Sequence, residues 1–181
     1  MTPPTSTALA PSSRTAPAGS TLANVFAQHQ LAQPDASLLL APETGRRLSY
    51  RGLGAEVVAL HAHLSTHSIG ANAHVGFLLP NGLATSALFL ATMIAGRVTV
   101  PLNLLSQAAQ LAYVLGHSGV RCVFVSAEYE ATLAAAIALL GSEAVGGTPP
   151  DIVVLRIDVD TPLAAQLPAA PQGAPLPAPE A

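Results

Sequence analysis

The stretch HVGFLLPNGLATSALFLATMIAGRVTVPLN, residues 74–103, carries the pattern that decides the fold of this chain. It opens with a continuous apolar run of strand length, HVGFLL, which Pro80 and Asn81 stop. A helix is predicted over residues 83–95, where Asn81 is placed to cap it and apolar residues on nearly every side predict burial. The strand RVTV then runs into Pro101. Apolar strands on either side of a helix predict a parallel pair joined by a right-handed crossover.

The same alternation extends in both directions along the chain. Apolar spacing and turn residues predict a helix over 22–32, a hairpin made of SLLLA and RLSY, a helix over 51–68, a helix over 106–117, the strand RCVFVS, a helix over 127–140 and the strand DIVVLRI. We therefore expect an α/β fold, a three-layer sandwich around a parallel sheet.

The chain divides into three parts that differ in composition. Residues 1–20 are rich in Ser, Thr and Pro and lack the continuous apolar core of a secretory signal, so they are predicted to form a disordered arm. Residues 21–158 hold the predicted α/β domain. Residues 159–181 are rich in Pro and Ala and are predicted to form a linker or tail.

The charge content limits the partners of this protein. Only 9% of the residues are charged, the net charge is -3, and all seven cations are arginines spread along the chain. No basic patch results, so we expect no nucleic-acid partner. The absence of lysine also removes the flexible ammonium that enzymes of phosphoryl and nucleotidyl transfer commonly place on phosphates.

Residues 75–96 carry no charge, which raises the question of a membrane span. Pro80, Asn81 and Gly82 interrupt that run, and the remainder is short of the ~20 residues that cross a bilayer. We therefore expect a buried helix and no membrane span.

The histidines of the second predicted helix raise the question of a metal site. On a helix only His63 and His67 share a face, whereas His61 points about 200° away from His63. The segment HLSTH lacks the glutamate of the zinc-protease motif, and no third ligand is visible. These residues are therefore expected to be ordinary helix histidines. Cys122 could be a nucleophile or a small buried strand residue, and its apolar surroundings favour the second.

Two further motifs fall short of a phosphate site. The segment GSEAVGGT, residues 141–148, is one residue away from a P-loop, but Gly147 stands where the lysine must be and the segment does not join a strand to a helix. Asp158 and Asp160 flank the end of the last strand, where solvated carboxylates are the default interpretation. We assign no catalytic, cofactor-binding or metal-binding residue.

The order of four stretches resembles the N-terminal part of the adenylate-forming, AMP-binding superfamily: acyl-CoA synthetases, peptide-synthetase adenylation domains and luciferases. The stretches are LSYRGL (48–53), HVGFLLPNG (74–82), MIAGRVTVPLN (93–103) and QLAYVLGHSGVRCVFVS (110–126). The resemblance covers residues 22–157. Asn103 follows the family's proline pair and is more typical of acyl-CoA synthetases, while Gly52 and Arg97 depart from the family's usual residues.

The resemblance implies an activity that this chain could not complete alone. Family members activate a carboxylic or fatty acid with ATP and Mg²⁺ to an acyl-adenylate, and the synthetases then form the CoA thioester. The family's Thr/Ser/Gly-rich phosphate loop, its ribose-binding aspartate and its C-terminal lysine do not occur in these 181 residues. The resemblance thus implies a cytoplasmic ligase fragment that is cut before the phosphate-binding loop and binds no cofactor by itself.

Two alternatives of other classes stay open. The chain could be a non-catalytic partner or half of a split ligase, completed by another chain that covers its apolar surface and sheet edge. It could also be a small independent nucleotide-binding protein, which would need a phosphate-cradling loop at the end of a strand.

Overall fold

The computed structural model describes residues 21–143, 151–167 and 176–177. The first elements are helix α1 (Leu22–Ala32), strands β1 (Ser37–Ala41) and β2 (Arg46–Ser49), and helix α2 (Tyr50–Thr66). The strands β1 and β2 pair antiparallel, as the turn PETG predicts. Thr21 caps α1 by accepting a hydrogen bond at Oγ1 from the backbone N–H of Asn24 at 3.2 Å.

The central sheet has four parallel strands. They are β3 (His74–Leu78), β4 (Val98–Pro101), β5 (Val120–Val125) and β6 (Val153–Arg156), in the spatial order β4-β3-β5-β6. The chain crosses between them through α3 (Leu83–Ile94), α4 (Ala108–Ser118), and a 3₁₀ turn (Ala127–Tyr129) that continues into α5 (Glu130–Glu143). The parallel α/β class predicted from the sequence is therefore confirmed.

Side chains alternate between the two faces of this sheet and so build two cores. Phe77 and Phe124 face one core with α1, α2 and α3, whereas Leu78 and Val125 face a second core with α4 and α5. Helices thus cover both faces of the sheet, as expected for strands without a polar face. The helix α3 has buried residues on several sides, as its all-round apolar sequence predicts.

The predicted cap of α3 is wrong by one position. Gly82, and not Asn81, is the N-cap residue, and no side chain caps the helix. Thr85 in the first turn instead donates a hydrogen bond from Oγ1 to the backbone oxygen of Pro80 at 2.6 Å. This bond ties the first turn of α3 to the residue that precedes the predicted cap.

The ordered core extends into the segment that the sequence assigned to a linker. A short helix, α6 (Leu163–Gln166), follows β6, and Leu163 and Leu167 are buried in the core that faces α2 and α3. Leu176 packs against the same core. The predicted arm over residues 1–20, and the rest of the tail, lie outside the described residues.

Candidate functional site

The strand order creates a crevice at the carboxyl edge of the sheet. From β3 the chain moves outward to β4, then crosses back to β5 and continues to β6, so the direction of winding reverses between β3 and β5. Ligands of open α/β proteins bind outside the carboxyl ends of the strands at such a switch point. This crevice is therefore where the fold offers a binding site.

A cleft of about 830 Å³ opens at this edge. Its walls are formed by the last residue of β6, by residues that follow β3, β5 and β6, and by one residue of α6: Pro80, Ser126, Ala127, Glu128, Arg156, Ile157, Asp158, Val159 and Gln166. Because the three strands are parallel and adjacent, their carboxyl ends place these residues close together. We refer to it as the carboxyl-edge cleft.

Ser126 brings a hydroxyl group to the base of the cleft. The residue follows β5 and precedes the 3₁₀ turn, and it is only 7% exposed. Within the described ranges its Oγ atom makes no hydrogen bond, although a buried hydroxyl ordinarily has a partner. The sequence showed Ser126 only as the end of a strand, and its burial follows from the crossover of β5 beside β3.

The charges around the cleft are mixed in sign. The Arg156 guanidinium lies 3.5 Å from Glu130, and both side chains remain substantially exposed. Glu128 and Asp158 add negative charge to the walls. A triphosphate would meet a single cation that is already paired, so these walls do not by themselves form a strong polyanion site.

The loop after β6 is tied into a fixed shape by Gln166. Its side-chain Oε1 accepts the N–H of Asp158 at 2.7 Å, and its Nε2 donates to the carbonyl oxygens of Asp158 and Thr161 at 2.9 and 2.7 Å. The Asp158 carboxylate accepts the Asp160 N–H and the Thr161 hydroxyl. These bonds, with a smaller contribution from Arg46, lower the pKa of Asp158. The predicted solvated carboxylate is thus also a loop-forming residue.

The histidines behave as the helical geometry predicts. The rings of His63 and His67 lie on one face with centroids 4.8 Å apart, whereas His61 contacts Arg97 through its Nδ1 atom at 2.8 Å. Across residues 21–143, 151–167 and 176–177, no group of three or more His, Cys, Asp or Glu side chains is arranged to hold a metal ion.

Cys122 and Asn103 have structural roles in the fold. Cys122 is fully buried in β5, and burial raises the pKa of its thiol to about 12, so it is not an activated nucleophile. Asn103 turns the chain after β4, because its Oδ1 accepts the N–H of Leu105 at 3.0 Å.

Most of the P-loop-like segment 141–148 lies outside the described residues. In the part of the chain that the structure covers, no helix combines the length and apolar character of a membrane span.

The fold matches that of solved structures. The N-terminal domain of FACL13 from Mycobacterium tuberculosis superposes with a TM-score of 0.66 at 20% identity, covering 84% of this chain and 38% of that one. A luciferase-like enzyme from the nonluminescent mealworm Zophobas morio gives a TM-score of 0.69 at 16% identity, covering 90% of this chain and 38% of that one. At these identities the likeness establishes the fold.

The sequence itself establishes the family. The profile of the AMP-binding enzyme family matches residues 26–180, and the chain belongs to that family. The sulfoacetate–CoA ligase of Cupriavidus necator is 36% identical over 164 residues, which cover 88% of this chain. This chain spans 30% of the length of that ligase. An acetate–CoA ligase of Humulus lupulus is 30% identical over 92 residues, which cover 51% of this chain and 16% of that ligase.

Proposed function

We propose that this chain is the N-terminal portion of an acyl-CoA synthetase-like ligase. The whole ligase would use ATP and Mg²⁺ to convert a carboxylic or fatty acid to an acyl-adenylate, and would then form the thioester with CoA in the cytoplasm. The observation that carries the proposal is the family match over residues 26–180, supported by the CoA ligases among the relatives. The carboxyl-edge cleft is the part of this chain that we expect to adjoin the reaction site.

We further propose that the 181 residues alone do not adenylate a carboxylate. Adenylation requires groups that grip a polyphosphate while negative charge shifts onto the leaving pyrophosphate. The chain has no lysine, and the arginine at the cleft is paired with Glu130. The chain therefore supplies scaffold and one wall of the site, while other parts of the ligase supply the phosphate-binding groups.

An ATP–pyrophosphate exchange assay tests both statements. The isolated 181-residue chain is expected to give no carboxylate-dependent exchange with acetate, sulfoacetate or a fatty acid. A fusion of this chain to the remaining portion of a CoA ligase relative is expected to give exchange, and the same portion without this chain serves as the matched control. Exchange by the isolated chain would contradict its inactivity, and an inactive, folded fusion would contradict the ligase assignment.

A second proposal, that the chain is a non-catalytic partner or half of a split ligase, rests on the outer edge of β6. In the described parts of the chain no strand pairs with the side of β6 opposite β5, and Val154 on this strand is 42% exposed. An apolar sheet edge of this kind is a template for pairing with another strand. Copurification of a complementary ligase chain would support a split enzyme, whereas a stable monomer isolated without any partner would count against it.

A further inference from the structure

A cavity of about 90 Å³ lies between helices α2, α3 and α6. Much of its wall is apolar, formed by Leu83, Ala87 and Leu88 of α3 together with Ile157 and Leu163. Leu88 is 1% exposed and Ile157 is 5% exposed, so this wall belongs to the core that faces α2 and α3. Apolar cavities in proteins stay dry and take up small apolar molecules.

Glu56 adds a buried carboxylate to the wall of this cavity. The group accepts the backbone N–H groups of Ala164 and Leu163. A carboxylate has about four acceptor positions on its two oxygens, so capacity remains for a further donor. Burial raises the pKa of Glu56, which means that the protein replaces only part of the hydrogen bonding that water would supply. A ligand that donates a hydrogen bond to Glu56 would offset part of this desolvation.

The charges around the cavity favour a neutral ligand. Arg46 and Arg47 of β2 form a more exposed part of the wall, and Arg46 lies 3.5 Å from Asp160. A cationic ligand would lie close to these two guanidinium groups, whereas an anionic ligand would lie against the buried Glu56 carboxylate. Like charges repel strongly where water is excluded. A neutral molecule that carries a hydrogen-bond donor avoids both penalties.

We propose that this cavity binds a small neutral alcohol, whose hydroxyl group donates to Glu56 and whose alkyl group packs against α3 and Leu163. An engineered cavity of about 150 Å³ holds benzene, so the smaller volume here suits an alkyl group of about three to four carbon atoms. The inference does not depend on the proposed ligase function, because neither the cavity nor its test involves ATP, a carboxylic acid or other parts of a ligase.

Titration of the ¹⁵N-labelled 181-residue chain with n-butanol, followed by ¹H–¹⁵N NMR spectra, tests the site. Diethyl ether is the control ligand, because it is an isomer of n-butanol that has no hydroxyl donor. Butanol is expected to shift the amide signals of Ala84, Ala87 and Ala164 saturably, with an affinity about tenfold or more above that of the ether, since the bond to a charged acceptor is lost. Unsaturable shifts at these residues, or equal affinities for the two isomers, overturn the proposal.

A matched pair of α3 variants locates the binding. Ala84 lines the cavity, whereas Ser86, two positions further on the same helix, is exposed and lies outside the wall. Ala84→Leu is expected to fill the cavity and abolish the saturable response to butanol, and Ser86→Leu is expected to keep it. Retained binding in a folded Ala84→Leu protein, or lost binding in a folded Ser86→Leu protein, contradicts the location. The comparison of the two isomers in the unsubstituted chain stays decisive if Ala84→Leu prevents folding.

Discussion

The Glu56 carboxylate oxygen Oε2 lies 2.7 Å from the backbone nitrogen of Ala164, and this hydrogen bond joins α2 to α6 across 108 positions of the chain. Glu56 is only 5% exposed. Burial raises the pKa of the carboxyl, while the N–H groups of Ala164 and Leu163 act in the opposite direction. The bond therefore attaches the segment after β6 to the body of the domain.

Replacing Glu56 is expected to loosen α6. Glu56→Ala leaves the N–H of Ala164 without its acceptor and should lower the free energy of unfolding by about 1–3 kcal/mol. Glu56→Gln keeps a carbonyl acceptor and should cost less. Urea unfolding monitored by circular dichroism measures both, with the exposed Glu43→Ala as control. Equal midpoints for Glu56→Ala and the unsubstituted protein would show that the bond contributes nothing.

His63 is expected to make stability depend on pH. It is 8% exposed, neither ring nitrogen has a hydrogen-bond partner within the described residues, and burial, with a smaller effect of His67, lowers its pKa. The unfolded chain therefore takes up a proton first, at its ordinary pKa of about 6.5. The stability that the neutral His63 contributes is fully present above that pH and is lost as the pH falls through the lower pKa of the folded state.

The variant His63→Leu tests this dependence. It should flatten the fall in stability below about pH 6.5 and, by removing two unpaired buried nitrogens, raise the free energy of unfolding by about 1 kcal/mol at neutral pH. Urea midpoints between pH 5 and 8 measure the effect. The exposed His117→Gln should keep the slope of the unsubstituted protein, and a slope retained by His63→Leu would assign the pH dependence to another group.

Hydrophobic periodicity and turn residues predicted nearly every helix and strand, because both signals depend only on residues close together in the sequence. The predicted strands over 74–79 and 121–126 agree with β3 and β5 to within one residue at each end. The predicted helix face of Leu53, Val57, Leu60 and Leu64 is buried. The segment around Leu163 was not predicted to be ordered, since its proline and alanine content is typical of a linker. Its order comes from a distant acceptor, Glu56, which no local pattern reveals.

The candidate site was predictable only in part for a similar reason. The strand alternation predicted a parallel sheet, but the position of a crevice at its edge depends on the strand order, which is a tertiary property. The burial of Ser126 depends on that order, because β5 lies beside β3. Arg97 departs from the family's usual residue, but the sequence does not reveal its contact with His61, which lies 36 positions away.

The thiol of Cys122 is expected to be unreactive until the protein unfolds. The residue is 0% exposed and burial raises its pKa to about 12, so at pH 8 only about one thiol in ten thousand is ionised, apart from any steric protection. The Ellman reagent should therefore give no rapid reaction in buffer and one equivalent in denaturing urea. Cys122→Ala gives the blank, and rapid labelling of the folded protein would contradict the buried position.

Gly76 at the centre of β3 is expected to have little room for a side chain. A Cβ atom there would lie 3.2 Å from Val123 Cγ2 and 3.4 Å from Val120 Cγ1, and β-branched side chains in a strand have little freedom to move. Gly76→Val should therefore lower the free energy of unfolding by about 1–3 kcal/mol, and Gly76→Ala by less. Gly70→Ala is the matched control, because a Cβ atom at that position meets nothing within 4 Å. Urea unfolding measures the free energy of unfolding of the three variants. A Gly76→Val protein as stable as the Gly70→Ala control would mean that the second core has room beside β3.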